Sequence, residues 1–308
     1  MAIENNIENI KKILAESYKN AISEIFKNEE SFIDRNKSDE NELSIDIIEH
    51  TLQDYLENYR NEKTKVMDLW AKTPIPELQG MTPSEIINGL NCFDDVYDVF
   101  LHMSENTDEE LPDILIDKMR QYGAAMSEKL INLARSSAET DKQEHVFAET
   151  VSIIGRMGLS ASVESLLQLL YDYWEDISKS EYLEDALKNL GEAVIEPILA
   201  KLEKNEFGEF EHRLLYVLAS VGSKHKDERI YRIIRKAFRE ADEKLPVAVC
   251  IAAYNDGRAV PMLRSFLERN GRDIPDELFI VTLETLNELG GDITDFMGML
   301  RERVLLKN

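Results

Sequence analysis

The chain has 308 residues, of which 43% are hydrophobic and 31% charged, and its formal net charge is -24. This composition supports an ordered core, and so negative a surface disfavours binding to phosphate backbones and anionic lipids. With only 13 Gly and 8 Pro, turn-rich all-β folds are disfavoured as well. No apolar run approaches the roughly 20 residues that span a bilayer. The polar start of the chain is unlike a secretion signal, so we expect a cytoplasmic protein that binds neither nucleic acid nor membranes.

Two helical stripes are predicted in the N-terminal region. Residues 3–27 repeat apolar side chains at helical spacing, and a second such pattern runs from Leu43 to Trp70. The polar segment 28–42 between them is predicted to be a flexible link. Because a terminal repeat needs one polar and one filled face, we predict that this hairpin caps a helical stack. The alternative is a hairpin that dimerises and makes the protein a homodimer.

A proline-rich corner follows the second stripe. Pro74 and Pro76 predict an extended stretch, because the proline ring fixes φ and disfavours helix for the preceding residue. Thr82, Pro83 and Glu85 then form the signature of a helix start, with Thr at the N-cap and Glu three residues later. The corner therefore predicts a rigid turn that leads into a new helix.

From residue 110 onwards the chain repeats one unit, which consists of an apolar helical stripe, a small turn residue and a second apolar stripe. Neighbouring turn positions are separated by 35, 33, 31, 33 and 35 residues. These positions are Gly123, Gly158, Gly191, Gly222, Asn255 and Gly290. Gly or Asn is expected there because the chain leaves a helix through a left-handed conformation. A fixed period of this length indicates helix pairs that stack on one another.

The best-matched units, residues 190–199 and 256–263, resemble HEAT and HEAT-like repeats, with an inter-helix turn followed by a Val-x-x-Leu second helix. The resemblance covers roughly the C-terminal two-thirds of the chain. The period and the resemblance together predict an all-α fold with an α-solenoid of about six antiparallel helix pairs at 81–308. The N-terminal helical cap or hairpin, with the proline-rich corner, is assigned to residues 1–80. The resemblance also implies a scaffold whose concave face binds a protein or peptide partner. Because a fold does not fix a chemistry, an alternative stays open, a protein similar to phycobilin lyases whose groove holds a cofactor or a modifiable target.

One local feature points to a binding surface. Cations recur at three- and four-residue steps along the second helix of the fourth unit, and two more lie in the next unit. The candidate partner-binding residues are Arg229, Arg232, Arg235, Lys236, Arg239, Arg258 and Arg264. The apolar stripe of this helix must pack inward, so the cations face solvent, and by resemblance they line the groove. Arginine suits bidentate capture of carboxylate or phosphate, but these cations also have Asp227, Glu228 and Glu240 nearby as internal partners.

The sequence shows no catalytic constellation. Nucleotide-binding, serine-hydrolase and zinc-protease motifs are missing, so we predict a non-enzymatic protein with no catalytic, cofactor-binding or metal-binding residues. Glu209 and His212 stand at the spacing used by di-iron bundles, but such a site needs a second pair of this kind. Cys92 and Cys250 are predicted to be buried small hydrophobes. An aromatic cluster is interpreted as packing between repeats and consists of Tyr171, Tyr173 and Trp174.

Overall fold

The structure is a computed structural model, and it describes residues 7–33, 45–107, 110–139, 143–204 and 206–305. Within these ranges every regular element is helical, apart from one isolated antiparallel bridge between Ile75 and Met81. The predicted all-α fold is therefore confirmed for the described part of the chain. The chain divides into two compact units, Met1–Thr150 and Val151–Asn308.

The first unit contains two long helices followed by shorter ones. They are α1 (Ile7–Ile33), α2 (Ile45–Lys72), α3 (Pro83–Gly89), α4 (Phe93–Asn106), α5 (Asp113–Arg120) and α6 (Gly123–Ser137). Helix α1 packs against α2 and α4, and α5 packs against α3, α4 and α6. The contact between α1 and α2 includes Tyr18 and Trp70, whose rings meet edge to face with centroids 5.0 Å apart. Both side chains are buried, so this aromatic pair fixes the two long helices together.

The N-terminal predictions have mixed outcomes. Helix α2 confirms the second helical pattern from Ile45 onwards. The predicted link is wrong over residues 28–33, because α1 continues to Ile33, and residues 34–42 lie outside the described residues. The predicted start of α3 is confirmed by a reciprocal cap, in which Thr82 Oγ1 accepts the N–H of Glu85 at 3.2 Å and the Glu85 carboxylate accepts the N–H of Thr82 at 2.8 Å. The domain boundary predicted after residue 80 lies inside the first unit and stays a prediction.

The second unit begins within α7 (Glu144–Met157) and continues to the C-terminus. Its further helices are α8 (Val163–Tyr173), α9 (Ile177–Asn189), α10 (Ile195–Leu202), α11 (Glu209–Lys224), α12 (Glu228–Glu240), α13 (Leu245–Tyr254), α14 (Val260–Asn270), α15 (Asp276–Glu288) and α16 (Met297–Leu305). Helix α11 lies between α9 and α13, and α13 packs in turn against α15. Helix α12 packs against α10, α11 and α13. Helices that alternate along the chain thus lie side by side.

Left-handed backbone conformations occur at five of the six predicted turn positions. They are Gly123, Gly158, Gly191, Asn255 and Gly290, with φ between 52° and 84°. Asn255 is the one residue of this set that has a side chain, and its N–H closes the end of α13 by donating to the carbonyl of Ile251 at 3.1 Å. These turns are therefore predicted correctly, because left-handed φ is a local requirement that Gly and Asn meet most easily.

The remaining turn prediction, at Gly222, is wrong. Gly222 lies inside α11, which continues to Lys224 before the chain turns at His225. A Cβ on Gly222 would lie 2.7 Å from Cε2 of Tyr254 and 2.9 Å from Cδ1 of Ile230. The glycine is therefore needed for the close approach of α12 and α13 to α11, and not for backbone freedom.

The cysteine prediction is correct for one residue and wrong for the other. Cys250 is buried in α13, and this burial raises the pKa of its thiol. Cys92 is exposed, because it occupies the extended position just before α4 and belongs to no packed helix face. Both are free thiols in the structure.

We expect Gly222→Ala to lower the free energy of unfolding by about 1–3 kcal/mol, because the added methyl group overpacks the contact with Tyr254 and Ile230. Gly298→Ala is the matched control, because Gly298 lies in α16 and a Cβ added to it would have open space within 4 Å. The control should be stabilised by about 0.5–1 kcal/mol, the usual gain of Ala over Gly in a helix. Urea unfolding followed by circular dichroism measures both, and equal stabilisation of the two variants would show that the contact is not tight.

Candidate functional site

The candidate surface lies on α12, whose two faces differ in chemistry. The helix begins after Asp227, whose side chain accepts the backbone N–H of Arg229 at 2.8 Å. A cap of this kind satisfies one of the free N–H groups at a helix start. The buried face consists of Ile230, Ile233, Ile234, Ala237 and Phe238. The five predicted cations of α12 lie on the opposite, solvent-facing side of the helix, and Arg258 and Arg264 belong to the next unit.

Arg229 is held by two carboxylates. Its guanidinium lies 2.7 Å from Oδ2 of Asp227 and 2.6 Å from Oε1 of Glu196 on α10. The pKa of Arg229 is raised, most strongly by its hydrogen bond to Asp227 and next by its hydrogen bond to Glu196. The hydrogen bond from Arg229 in turn lowers the pKa of Asp227. Asp227 thus serves both the start of α12 and the position of the Arg229 side chain.

Arg258 repeats this arrangement just before α14. Its guanidinium lies 2.8 Å from Oδ2 of Asp256 and 2.6 Å from Oε2 of Glu228. Its Cζ also lies 4.1 Å from the centroid of the Tyr231 ring, within the range of a cation–π contact. The hydrogen bonds from Arg258 lower the pKa of both Asp256 and Glu228.

Arg264 is also engaged with acids and with the backbone. It lies 3.0 Å from Oε1 of Glu268, donates to the carbonyl of Asp292 at 2.9 Å and forms an ion pair with Asp295. Together with Arg229 and Arg258 it forms a series of arginine bridges, which join α10 to α12, α12 to the start of α14, and α14 to the segment before α16. These three cations therefore pair within the protein, as the alternative interpretation of the stripe expected.

The other four candidates form what we call the cationic face of α12, namely Arg232, Arg235, Lys236 and Arg239. Arg232 has 75% of its side-chain surface exposed, and its nearest carboxylate, on Glu228, is 3.6 Å away. Lys236 lies 3.8 Å from Glu240. Arg235 and Arg239 are exposed and their guanidinium groups form no ion pair with any residue that the structure describes. The structure thus separates the stripe into a part held by short ion pairs and an available part, whose ion pairs with described residues are longer or absent.

The cationic face offers binding chemistry and no acid–base chemistry. Exposed guanidinium groups present planar, permanently charged donors that match carboxylate and phosphate oxygens. Within the described ranges, no group of three or more His, Cys, Asp or Glu side chains is placed to hold a metal ion. Over the same residues no helix is long and apolar enough to cross a membrane.

No protein-family model, no curated protein and no solved structure matches this chain. The resemblance to HEAT-like repeats therefore stays a prediction. The class that the described residues define is an all-α protein with helices packed side by side in its second unit.

The internal partners of the arginine bridges were mostly missed by sequence reasoning. Glu196, Asp256 and Asp295 were not singled out, although a signal for one of them exists. The pattern Asp-x-Arg occurs at residues 227–229 and again at 256–258, and in both places the carboxylate accepts the N–H of the arginine that it also pairs with. Such a repeated local pattern indicates a helix start with a fixed arginine, and not an arginine free for a ligand.

The two roles of Asp227 can be separated by substitution. Asp227→Ala removes both cap and ion pair and is expected to lower stability by about 0.5–2 kcal/mol, whereas Asp227→Asn keeps an oxygen for the N–H of Arg229 and costs less. Because Arg229 lowers the folded-state pKa of Asp227, its charge stabilises the protein above the unfolded-state pKa. That contribution is lost as pH falls through the folded-state pKa. The difference in unfolding free energy between the unmodified protein and Asp227→Asn, measured by urea unfolding at several pH values, should therefore shrink in acid. A difference that grows in acid would contradict the assignment.

Proposed function

We propose that the protein is a non-enzymatic helical-repeat scaffold that binds a protein or peptide partner through the cationic face of α12. The scaffold is an α-solenoid of about six antiparallel helix pairs, located in the cytoplasm. The proposed solenoid is supported by the side-by-side packing of α9, α11, α13 and α15 and by left-handed turns at nearly constant spacing. Second helices such as α12 then supply the surface that a partner meets.

The observation that carries the proposal is the difference between paired and unpaired arginines. On a chain of net charge -24, Arg229, Arg258 and Arg264 are neutralised by nearby acids, while Arg235 and Arg239 are exposed and form no ion pair with a described residue. A cationic patch that keeps its charge on an acidic molecule favours a short acidic segment of a partner. The surrounding negative field disfavours an extended polyanion, so nucleic acid does not fit.

The N-terminal hairpin supports one further proposal, that α1 and α2 cap the helical stack. Its alternative, self-association through these helices, has an observation of its own, because Leu69 on α2 is 67% exposed. Light scattering on the purified protein separates the two, since only self-association gives a mass above 35.4 kDa.

The charge-reversal variant Arg232→Glu plus Arg235→Glu tests the proposed binding face. Partners captured from lysate by the unmodified protein should be reduced by about tenfold or more with this variant, because like charges then face the acidic segment. Capture by the unmodified protein should also weaken as salt is raised, since the contacts are exposed and screened. Quantitative mass spectrometry of the captured proteins is the measurement.

The matched control is Arg272→Glu plus Arg301→Glu, which makes the same change in net charge at two other exposed arginines of the second unit. The control should retain the partners. If both variants lose them equally, net charge and not the cationic face controls binding. If both variants retain them, the cationic face is not the binding surface.

A further inference from the structure

A second surface of opposite charge lies in the second unit, on helices other than α12. It is a groove of about 350 Å³ whose walls come from α9, α11 and α13 and from the segments beside them. The residues that matter for its chemistry are Trp174, Glu209, His212, Arg213, Glu243 and Val249. None of them belongs to the cationic face of α12, so the groove stands independently of the function proposed above.

The groove carries uncompensated negative charge. Its one arginine, Arg213, is paired with the buried carboxylate of Glu184 at 2.7 Å. Burial raises the pKa of Glu184, and the hydrogen bond from Arg213 opposes that shift. Glu209 and Glu243 are exposed and form no ion pair with any described residue. Two carboxylates therefore face the groove without a cation.

His212 is a second and independent sign of a ligand. Its side chain lines the groove and is only 7% exposed, yet its Nε2 has no hydrogen-bond partner among the described residues. A buried ring nitrogen without a partner is costly, and a hydrogen-bond donor in the groove would remove that cost. Burial lowers the pKa of His212, although Glu243, Glu211 and Glu209 all act to raise it. Burial thus favours the neutral imidazole, which does not repel a cation.

The remaining walls suit a side chain that joins an apolar stem to a flat charged group. The half-buried indole of Trp174 provides an aromatic wall, and Val249, 40% exposed, provides an apolar surface. The other aromatic wall, Tyr216, already faces a cation, because Nζ of Lys188 lies 4.5 Å from its ring centroid. A guanidinium stacks on tryptophan and binds carboxylates through parallel N–H bonds, whereas a compact ammonium does neither as well.

We propose that this groove binds an arginine side chain of a partner protein, with Glu209 and Glu243 as its carboxylate partners, Trp174 as its stacking surface and His212 at its wall. The site adds a basic partner segment to the acidic one expected at α12. The two sites share no residue, so each stands or fails by itself.

The test is a titration of the full-length protein with Nα-acetyl-L-arginine amide at constant ionic strength, followed by NMR of the histidine rings. The resonances of His212 should shift saturably. Those of His225, which lies beside Glu192 and outside the groove, should not, and they serve as a control for diffuse ion binding. Nα-acetyl-L-citrulline amide has the same shape without the charge and should give no saturable shift.

A pair of variants ties the signal to the groove. Glu209→Gln plus Glu243→Gln should weaken binding of the arginine probe by about fivefold, because two exposed charge pairs are lost. Glu284→Gln plus Glu288→Gln makes the same charge change at exposed positions of α15 and should leave the affinity unchanged. The proposal is overturned if His212 does not respond, if the citrulline probe binds equally well, or if both variants weaken binding alike.

Discussion

The close approach of neighbouring helices in the second unit is the constraint on which its other features depend. At Gly222 a single added carbon would collide with Tyr254 and Ile230, and at Gly155 it would lie 2.7 Å from the backbone of Ala186 on α9. Helices that pack at such short distances exclude side chains from the contact and bury the apolar stripes on either side. The polar and charged stripes are then left on the outer surfaces, where both candidate binding sites are found.

The arginine bridges act on those outer surfaces. Arg229 and Arg258 each pair with the carboxylate two residues before them, on Asp227 or Asp256, and with a glutamate of another helix, Glu196 or Glu228. Arg264 reaches Asp295 before α16 in the same way. Exposed ion pairs of this kind contribute little stability individually, so their main effect is to fix side chains. An arginine held by two carboxylates is not available to a partner. Of the seven candidate cations, the bridges therefore leave available only those of α12 from Arg232 to Arg239.

Local requirements were predictable from the sequence, and tertiary contacts were not. The turns at Gly191 and Asn255 and the cap at Thr82 follow from backbone conformation and short-range hydrogen bonds, which the residue types themselves reveal. Gly222 looked like another turn because a glycine required by a neighbouring helix is indistinguishable in sequence from one required by φ. The groove between α9, α11 and α13 was not predicted either, because residues far apart in the chain form its walls. The burial of His212 likewise cannot be inferred from its neighbours in the sequence.

The position of Gly222 in the last turn of α11 also limits how the length of this chain can change. One residue inserted in α11 before Gly222 would rotate the end of the helix by about 100° relative to its earlier turns, so α13 could keep its contacts with those turns only if Gly222 left its place beside Tyr254. A bulkier neighbour would take its place at the seam. Growth or loss of residues is tolerated far better in the connection between α10 and α11, where the nearest neighbour of a Cβ added to Gly208 is the flexible Glu211 side chain. Insertions and deletions in homologous chains should therefore occur mainly in the loops between helix pairs, and rarely inside α11.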